Sequence, residues 1–329
     1  MRAGKKMILL AAVAVLGLSG CGKGTQLDQE AQKKINIVCV SFPEYDWTRQ
    51  IIGEDNENIS LSLIADNGVD IHNYQPSVED MVEIDDCDLL IYNGGTSEQW
   101  ITDAVADSTH KPERVSMMDI LENDMVEEEV VEGMEAEEHQ HEGEEEHTHD
   151  GIEYDEHVWL SLKHAQTMVK EITKAVQSLD TENSNLYQKN ADSYLEQLVQ
   201  LDESYQNMVE NAKRTTVLFG DRFPFRYLTE DYGLTYYAAF PGCSSESEAS
   251  FETIIFLAEK VEEEKLPCIL TIDGSDGTIA NAIAENVDGK IEIKTLNSLQ
   301  AINQTQIAEG MTYLSAMEEN LEVLTTALQ

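Results

Sequence analysis

The chain of 329 residues carries 64 Asp and Glu against 21 Lys and Arg, a formal net charge of -43. So negative a surface repels phosphate, which excludes nucleic acid and anionic membrane faces as partners and makes cations the natural ligands. The length exceeds what one hydrophobic core usually serves, so two domains are expected.

The first 20 residues read as a secretory signal: Arg2, Lys5 and Lys6 precede an apolar run from Met7 to Leu18, too short to span a bilayer as a mature helix. Leu18-Ser19-Gly20-Cys21 resembles the bacterial lipobox, in which the cysteine receives lipid. Cys21 is therefore the expected anchor of an extracytoplasmic chain to the cell membrane. Residues 21–35 are polar and lack an apolar period, as suits a tether.

From residue 36 strand-like and helix-like segments alternate: "INIVCVSF", "YDWTRQIIG", "ISLSLIA", "VEDMVEI" and "CDLLIYNGG". The run "DLLIYN" is apolar without a period of two, as expected of a parallel strand buried on both faces. Alternation of this kind predicts βαβ units and an α/β lobe over residues 36–184. Seventeen acids and no Lys or Arg lie between Glu122 and Glu156. This acidic loop, residues 122–156, predicts a solvated, disordered spacer over residues 122–138.

Apolar positions from Tyr187 to Ala212 step by threes and fours, which predicts a helix over residues 185–212, about 40 Å long at 1.5 Å per residue. Such a rod could link two lobes. The alternation restarts with "TTVLFG", "FRYLTEDYG", "TYYAAF", "FETIIFLAEKVEEE", "CILTIDG", "TIANAIAENV" and "IEIKTL", which predicts a second α/β lobe over residues 213–329. Two such lobes leave a cleft beyond the carboxyl ends of their strands, where ligands bind in open α/β sheets. Cys39, Cys87, Cys243 and Cys268 contain no C-x-x-C pair, which argues against a zinc knuckle. Cys39 with Cys87, or Cys243 with Cys268, could form disulfides, and small buried thiols are the alternative.

Two histidines sit at junctions between segments: His72 in "NGVDIHNYQPS" and His157 in "DEHVWLSL". In an exported acidic chain, paired imidazoles suit zinc, copper or nickel, whereas magnesium and calcium prefer oxygen shells. Four further histidines, His139, His141, His147 and His149, form two H-x-H pairs among acids and predict weak, multiple metal capture. His157, placed against Val158 and Trp159, which look buried, belongs to the edge of the fold and not to that collector, with the boundary between Asp150 and Asp155.

"DIHNYQPS" and "DEHVWLSL" resemble the "DPHxYEPS" and "DPHVWLDP" elements of the zinc and manganese solute-binding lipoproteins of ABC transporters. "VCVSFPEYDWTRQIIG", "DLLIYNGGTSEQW", "YQKNADSYLEQL" and "MTYLSAMEENLEVL" agree with that family, and the resemblance covers almost all of residues 36–329. It implies two Rossmann-like α/β lobes joined by one long rigid helix, a metal site in the interlobe cleft, and His72 and His157 as first-lobe ligands. It also implies a monomer that delivers zinc, with manganese less favoured, to an ABC permease in the membrane. The His- and acid-rich insertion resembles that of the zinc branch.

The second lobe departs from the family pattern. Counting back from Tyr232-Gly233 puts Arg222 at the ligand position, and a guanidinium cannot coordinate a cation. A shift of one residue supplies Asp221, the expected third ligand, which could instead cap a helix. Asn297 matches a family aspartate near the last strand and is a possible fourth or outer-shell group, as is Glu248. Two imidazoles and one carboxylate around a divalent ion leave a net charge near +1, which suits zinc. The alternatives are a metal-buffering or adhesin-type surface lipoprotein, and a secreted zinc hydrolase. No H-E-x-x-H motif supports the hydrolase.

Overall fold

Two parallel sheets of four strands each carry the fold. In the computed structural model, which describes residues 34–53, 56–106, 110–135, 153–244 and 248–329, the strands are β1 (Ile35–Cys39), β2 (Ile59–Leu63), β3 (Leu89–Tyr92), β4 (Glu113–Ser116), β5 (Thr216–Phe223), β6 (Thr235–Pro241), β7 (Cys268–Ile272) and β8 (Glu292–Leu296). The sheet orders are β2-β1-β3-β4 and β6-β5-β7-β8, with every pair parallel. The central strand β3 is apolar and Leu89, Leu90 and Ile91 are fully buried, because helices cover both faces. β4 and the helix Gln99–Ala106 lie beyond what the sequence alternation picks out.

Between the sheets run two helices, Leu162–Leu179 and Ser184–Glu210. The longer has 27 residues and so spans about 40 Å. Its buried positions, Tyr187, Ala191, Tyr194, Leu198, Leu201 and Tyr205, step by fours and threes along one stripe. That stripe packs on Leu162–Leu179, on Phe42–Ile52 of the first lobe and on Tyr313–Ala327, the last helix. Tyr205 donates its hydroxyl to the Met317 carbonyl at 2.7 Å, which fixes the rod against the last helix.

The lobes share one hydrophobic core. A continuous buried cluster joins Ile37, Trp47, Leu90 and Trp159 to Phe219, Leu270 and Leu296 of the second sheet, and a smaller cluster fills that sheet's other face. Residues 34–329 accordingly form one compact unit. Polar ties reinforce the joint: Trp159 Nε1 donates to the Ser298 carbonyl at 2.9 Å, and Tyr313 N to Asp46 at 2.8 Å.

The acidic stretch is not a free spacer up to Glu135. Met125, Val126, Val131 and Met134 pack against the core, so enough apolar area is buried to order the strand of chain around them. Glu128 N donates to the Glu153 carbonyl and Asp155 N to that of Val126, pairing the two arms of the loop. Acids in this strap accept bonds from the second lobe: Glu128 from Cys243 N at 3.1 Å, and Glu135 from Ser250 N at 2.6 Å and from the Thr253 hydroxyl at 2.8 Å. The signal, the tether with Cys21 up to residue 33, and the four histidines His139, His141, His147 and His149 lie outside the described residues, and Ile35, expected as the tether's last residue, opens β1 by pairing with Ile59. Among the described residues no helix is long and apolar enough to cross a membrane.

Candidate metal centre

His72 sits in a short 3-10 turn, Ile71–Asn73, beyond β2. Asp70 caps the turn by accepting the His72 amide at 3.0 Å, and its other oxygen receives Arg222 of β5 at 2.5 Å. Burial opposes the charge of Asp70, but Arg222 and then His72 outweigh it and lower its pKa. Arg222, which stands where the family pattern would put a ligand, is thus an ion-pair partner across the cleft.

His157 immediately precedes the turn Val158–Leu160 and is fully buried. Asp155 accepts from its amide at 2.8 Å and from its Nδ1 at 3.0 Å, which commits Nδ1 as donor and turns the Nε2 lone pair inward. The edge of the ring packs on Trp159 with centroids 5.3 Å apart. Gly242 makes room behind it, because a Cβ there would meet His157 Cε1 at 2.8 Å and the Phe223 carbonyl at 2.8 Å.

One acid ties the two histidine loops together. Glu156, beside His157 and 3 % exposed, accepts from Thr96 N, from the Thr96 hydroxyl at 2.6 Å and from Ser97 N at 3.2 Å. Gly95 permits this clamp: its φ is +87°, and a Cβ would meet the Glu156 carboxylate at 2.6 Å. Ser97, held in this way, contacts His72 Nδ1 at 2.6 Å.

The two Nε2 atoms therefore face each other at 2.9 Å. Burial, and then the neighbouring His157, hold the His72 pKa down to about 4, so this ring is neutral near pH 7. For His157 burial also disfavours charge, but Asp155 more than compensates and raises the pKa. Gln300 completes the pocket: its Nε2 is 2.9 Å from His157 Nε2, and its Oε1 is buried without a hydrogen-bond partner. The Cys243 thiol is the third metal-ligating group here, since one ligand atom from each of His72, His157 and Cys243 can be drawn within 4.8 Å of the others. Burial, followed by Asp155 and Glu128, pushes that thiol's pKa up.

The other expected ligands are not gathered. Asp221 is absent from the group because β5 continues through Phe223, where a helix start was expected; Asp221 Oδ1 accepts from Arg222 N at 2.9 Å, and its Oδ2 is buried without a partner. Asp221 and Arg222 instead line a cleft of about 410 Å³ with Asp70, Asp273 and Asp276. Asn297 spends its side chain on a turn, accepting from Leu299 N at 2.9 Å, while its backbone pairs with Asn320. Glu248 is exposed and likewise outside the group. All four described cysteines are free, and Cys243 alone is not fully buried. Sequence reasoning missed Cys243 and Gln300; Gln300 lies three residues beyond Asn297, but only the turn shows which of the two amides points at the histidines.

Two parallel α/β lobes, with imidazoles converging beyond their strand ends, form the architecture of a bilobal solute-binding protein. The chain belongs to the family of the zinc-uptake complex component A, periplasmic (ZnuA), which it matches over residues 37–327. It is 31% identical over 321 residues to the zinc-binding lipoprotein AdcA of Streptococcus pneumoniae, covering 97% of this chain and 60% of that protein. It is 28% identical over 324 residues to the high-affinity zinc uptake system protein ZnuA of Bacillus subtilis, covering 98% and 97%. The Zn(II)-bound ZnuA-like domain of S. pneumoniae AdcA superposes with a TM-score of 0.69 at 26% identity, over 90% of this chain and 99% of that one. The chain thus spans only about three fifths of the length of the AdcA proteins it matches.

Proposed function

We propose that the chain is an extracytoplasmic solute-binding lipoprotein, anchored through Cys21, that captures zinc between its lobes and delivers it to an ABC permease. The observation that carries this reading is the pair of Nε2 atoms 2.9 Å apart, each ring oriented from behind through Nδ1. Moved apart to the roughly 3.3 Å that tetrahedral zinc sets between nitrogen donors, two deprotonated imidazole Nε2 atoms suit a d10 divalent ion and serve magnesium or calcium poorly. In this reading residues 36–184 form one lobe, residues 185–212 the linking helix, and residues 213–329 the other lobe.

The chain's residues do the work of capture and not of catalysis. Asp155 and Ser97 hold the imidazoles so that their lone pairs converge, which removes the ordering entropy an ion would otherwise have to overcome. The acids Asp221, Asp273 and Asp276 that line the outer cleft raise the local concentration of cations, while Arg222 stays paired with Asp70. The histidines of residues 136–152 act as a low-affinity collector in addition to this fixed site.

Growth tests the reading as a whole. Deleting the gene should slow growth under zinc chelation, with restoration by the wild-type chain and not by a His72→Ala/His157→Ala chain. Equal restoration by both chains would contradict it, and a metal-buffering surface protein would then be the better account.

A further inference from the structure

We propose that Cys243 and Gln300 complete the site, so that an ion held by His72 and His157 is also bound by the Cys243 thiolate and the Gln300 carboxamide oxygen. This rests on the zinc-capture reading and gives the site its chemical character, two nitrogens with one sulfur and one neutral oxygen.

Three features of the structure carry it. First, a ligand atom from each of Cys243, His72 and His157 lies within 4.8 Å of the other two, while tetrahedral zinc spaces nitrogen and sulfur donors roughly 3.3 to 3.6 Å apart. Second, the placement of Cys243 is imposed by its neighbours. Gly242 presses against the His157 ring in a space no Cβ could share, and the strap acid Glu128 accepts the Cys243 amide at 3.1 Å. The other described cysteines have no such setting: Cys39 contacts Thr48 at 3.6 Å, Cys87 the Ile84 carbonyl at 3.1 Å, and Cys268 is buried in β7.

Third, Gln300 is a polar side chain 5 % exposed whose Oε1 has no partner, although its amide lies against His157 Nε2. A buried amide oxygen left unpaired is destabilising. Turning the planar amide over exchanges two groups of nearly equal size: the NH2 group leaves His157 for the place Oε1 now holds, and the oxygen reaches the convergence point, where an ion is its partner.

Loading is acid–base chemistry without electron transfer. The thiol S–H bond breaks, the sulfur pair bonds the ion, and the proton leaves to solvent. Two neutral imidazoles, one thiolate and one neutral amide leave a divalent ion with a net charge near +1. Sulfur also biases the site toward thiophilic ions such as zinc and cadmium, against manganese and magnesium.

Cobalt(II), which reports its ligands by colour, tests this when titrated into the chelator-stripped full chain. One equivalent should produce a sulfur-to-cobalt charge-transfer band in the near ultraviolet that Cys243→Ser abolishes. Zinc affinity should fall about 10-fold or more in Cys243→Ser and in Gln300→Ala. As a measurement on the unmodified chain, zinc should protect Cys243 from alkylation by N-ethylmaleimide, located by mass spectrometry. Tight zinc that depends on His72 and His157, with the same cobalt spectrum in Cys243→Ser and no protection of the thiol, would overturn the thiolate and leave zinc capture standing. Unchanged affinity in Gln300→Ala would remove the carboxamide. Absence of any tight zinc in the unmodified chain would overturn the zinc reading, and this proposal with it.

Discussion

At His157 three neighbours act on one ring: Asp155 fixes its donor nitrogen, Trp159 packs on its edge, and Gly242 yields it space. His72 and His157 are legible in the sequence because short motifs carry them. Gln300 is not, because it is 143 residues from His157 and becomes its neighbour only through the turn at Asn297. Buried acids make a second point at this scale. Glu44 is fully buried beneath the first sheet's strand ends, with Oε1 unpaired, and burial lifts its pKa from the usual 4.5 to about 7. Glu98 is raised as well, by burial and then by Glu44 itself. An acid whose folded pKa is raised holds its proton where the unfolded chain has lost it, so Glu44's contribution to stability is fully present below about pH 4.5 and is lost as pH rises through about 7. Urea unfolding with chelator present should show Glu44→Gln flattening that decline by an amount on the order of 3 kcal/mol. An unchanged slope between pH 5 and 8 would refute this account of Glu44.

Elements were legible where periodicity was strong. The apolar run of β3 and the fours and threes of Ser184–Glu210 each point to one structure, whereas the four residues of β4, "ERVS", carry no period to read. At β5 the expected boundary fails because backbone pairing with β6 resumes at Arg222 and Phe223 after an irregularity following Phe219. That extension turns Arg222 toward Asp70 and makes an interlobe ion pair at the position where a ligand was expected. The linking helix should be sensitive along its buried stripe alone. Leu198→Ala, at a fully buried position, should cost about 2 to 5 kcal/mol in chemical denaturation. Gln197→Ala, on the exposed side, should stay within about 0.5 kcal/mol.

Over the whole molecule the two lobes behave as parts of one core, and the acidic strap crosses between them. Its composition, acids without bases, hid this role, because carboxylates here accept backbone amides of the other lobe where solvent would otherwise serve. Removing residues 136–152 should therefore leave thermal stability nearly unchanged and lower only the capacity for loosely held zinc. Removing residues 122–152 should lower stability as well, since Met125, Val126 and the Glu128 and Glu135 contacts go with it; equal melting temperatures for the two deletions would contradict that role. The shorter deletion also isolates the fixed site. Equilibrium dialysis of zinc against the chain lacking residues 136–152 is the most direct test of zinc capture between the lobes. One tightly held ion per chain, lost in His72→Ala/His157→Ala, is the expected result; no retained ion, or an ion retained equally by the double variant, would contradict it.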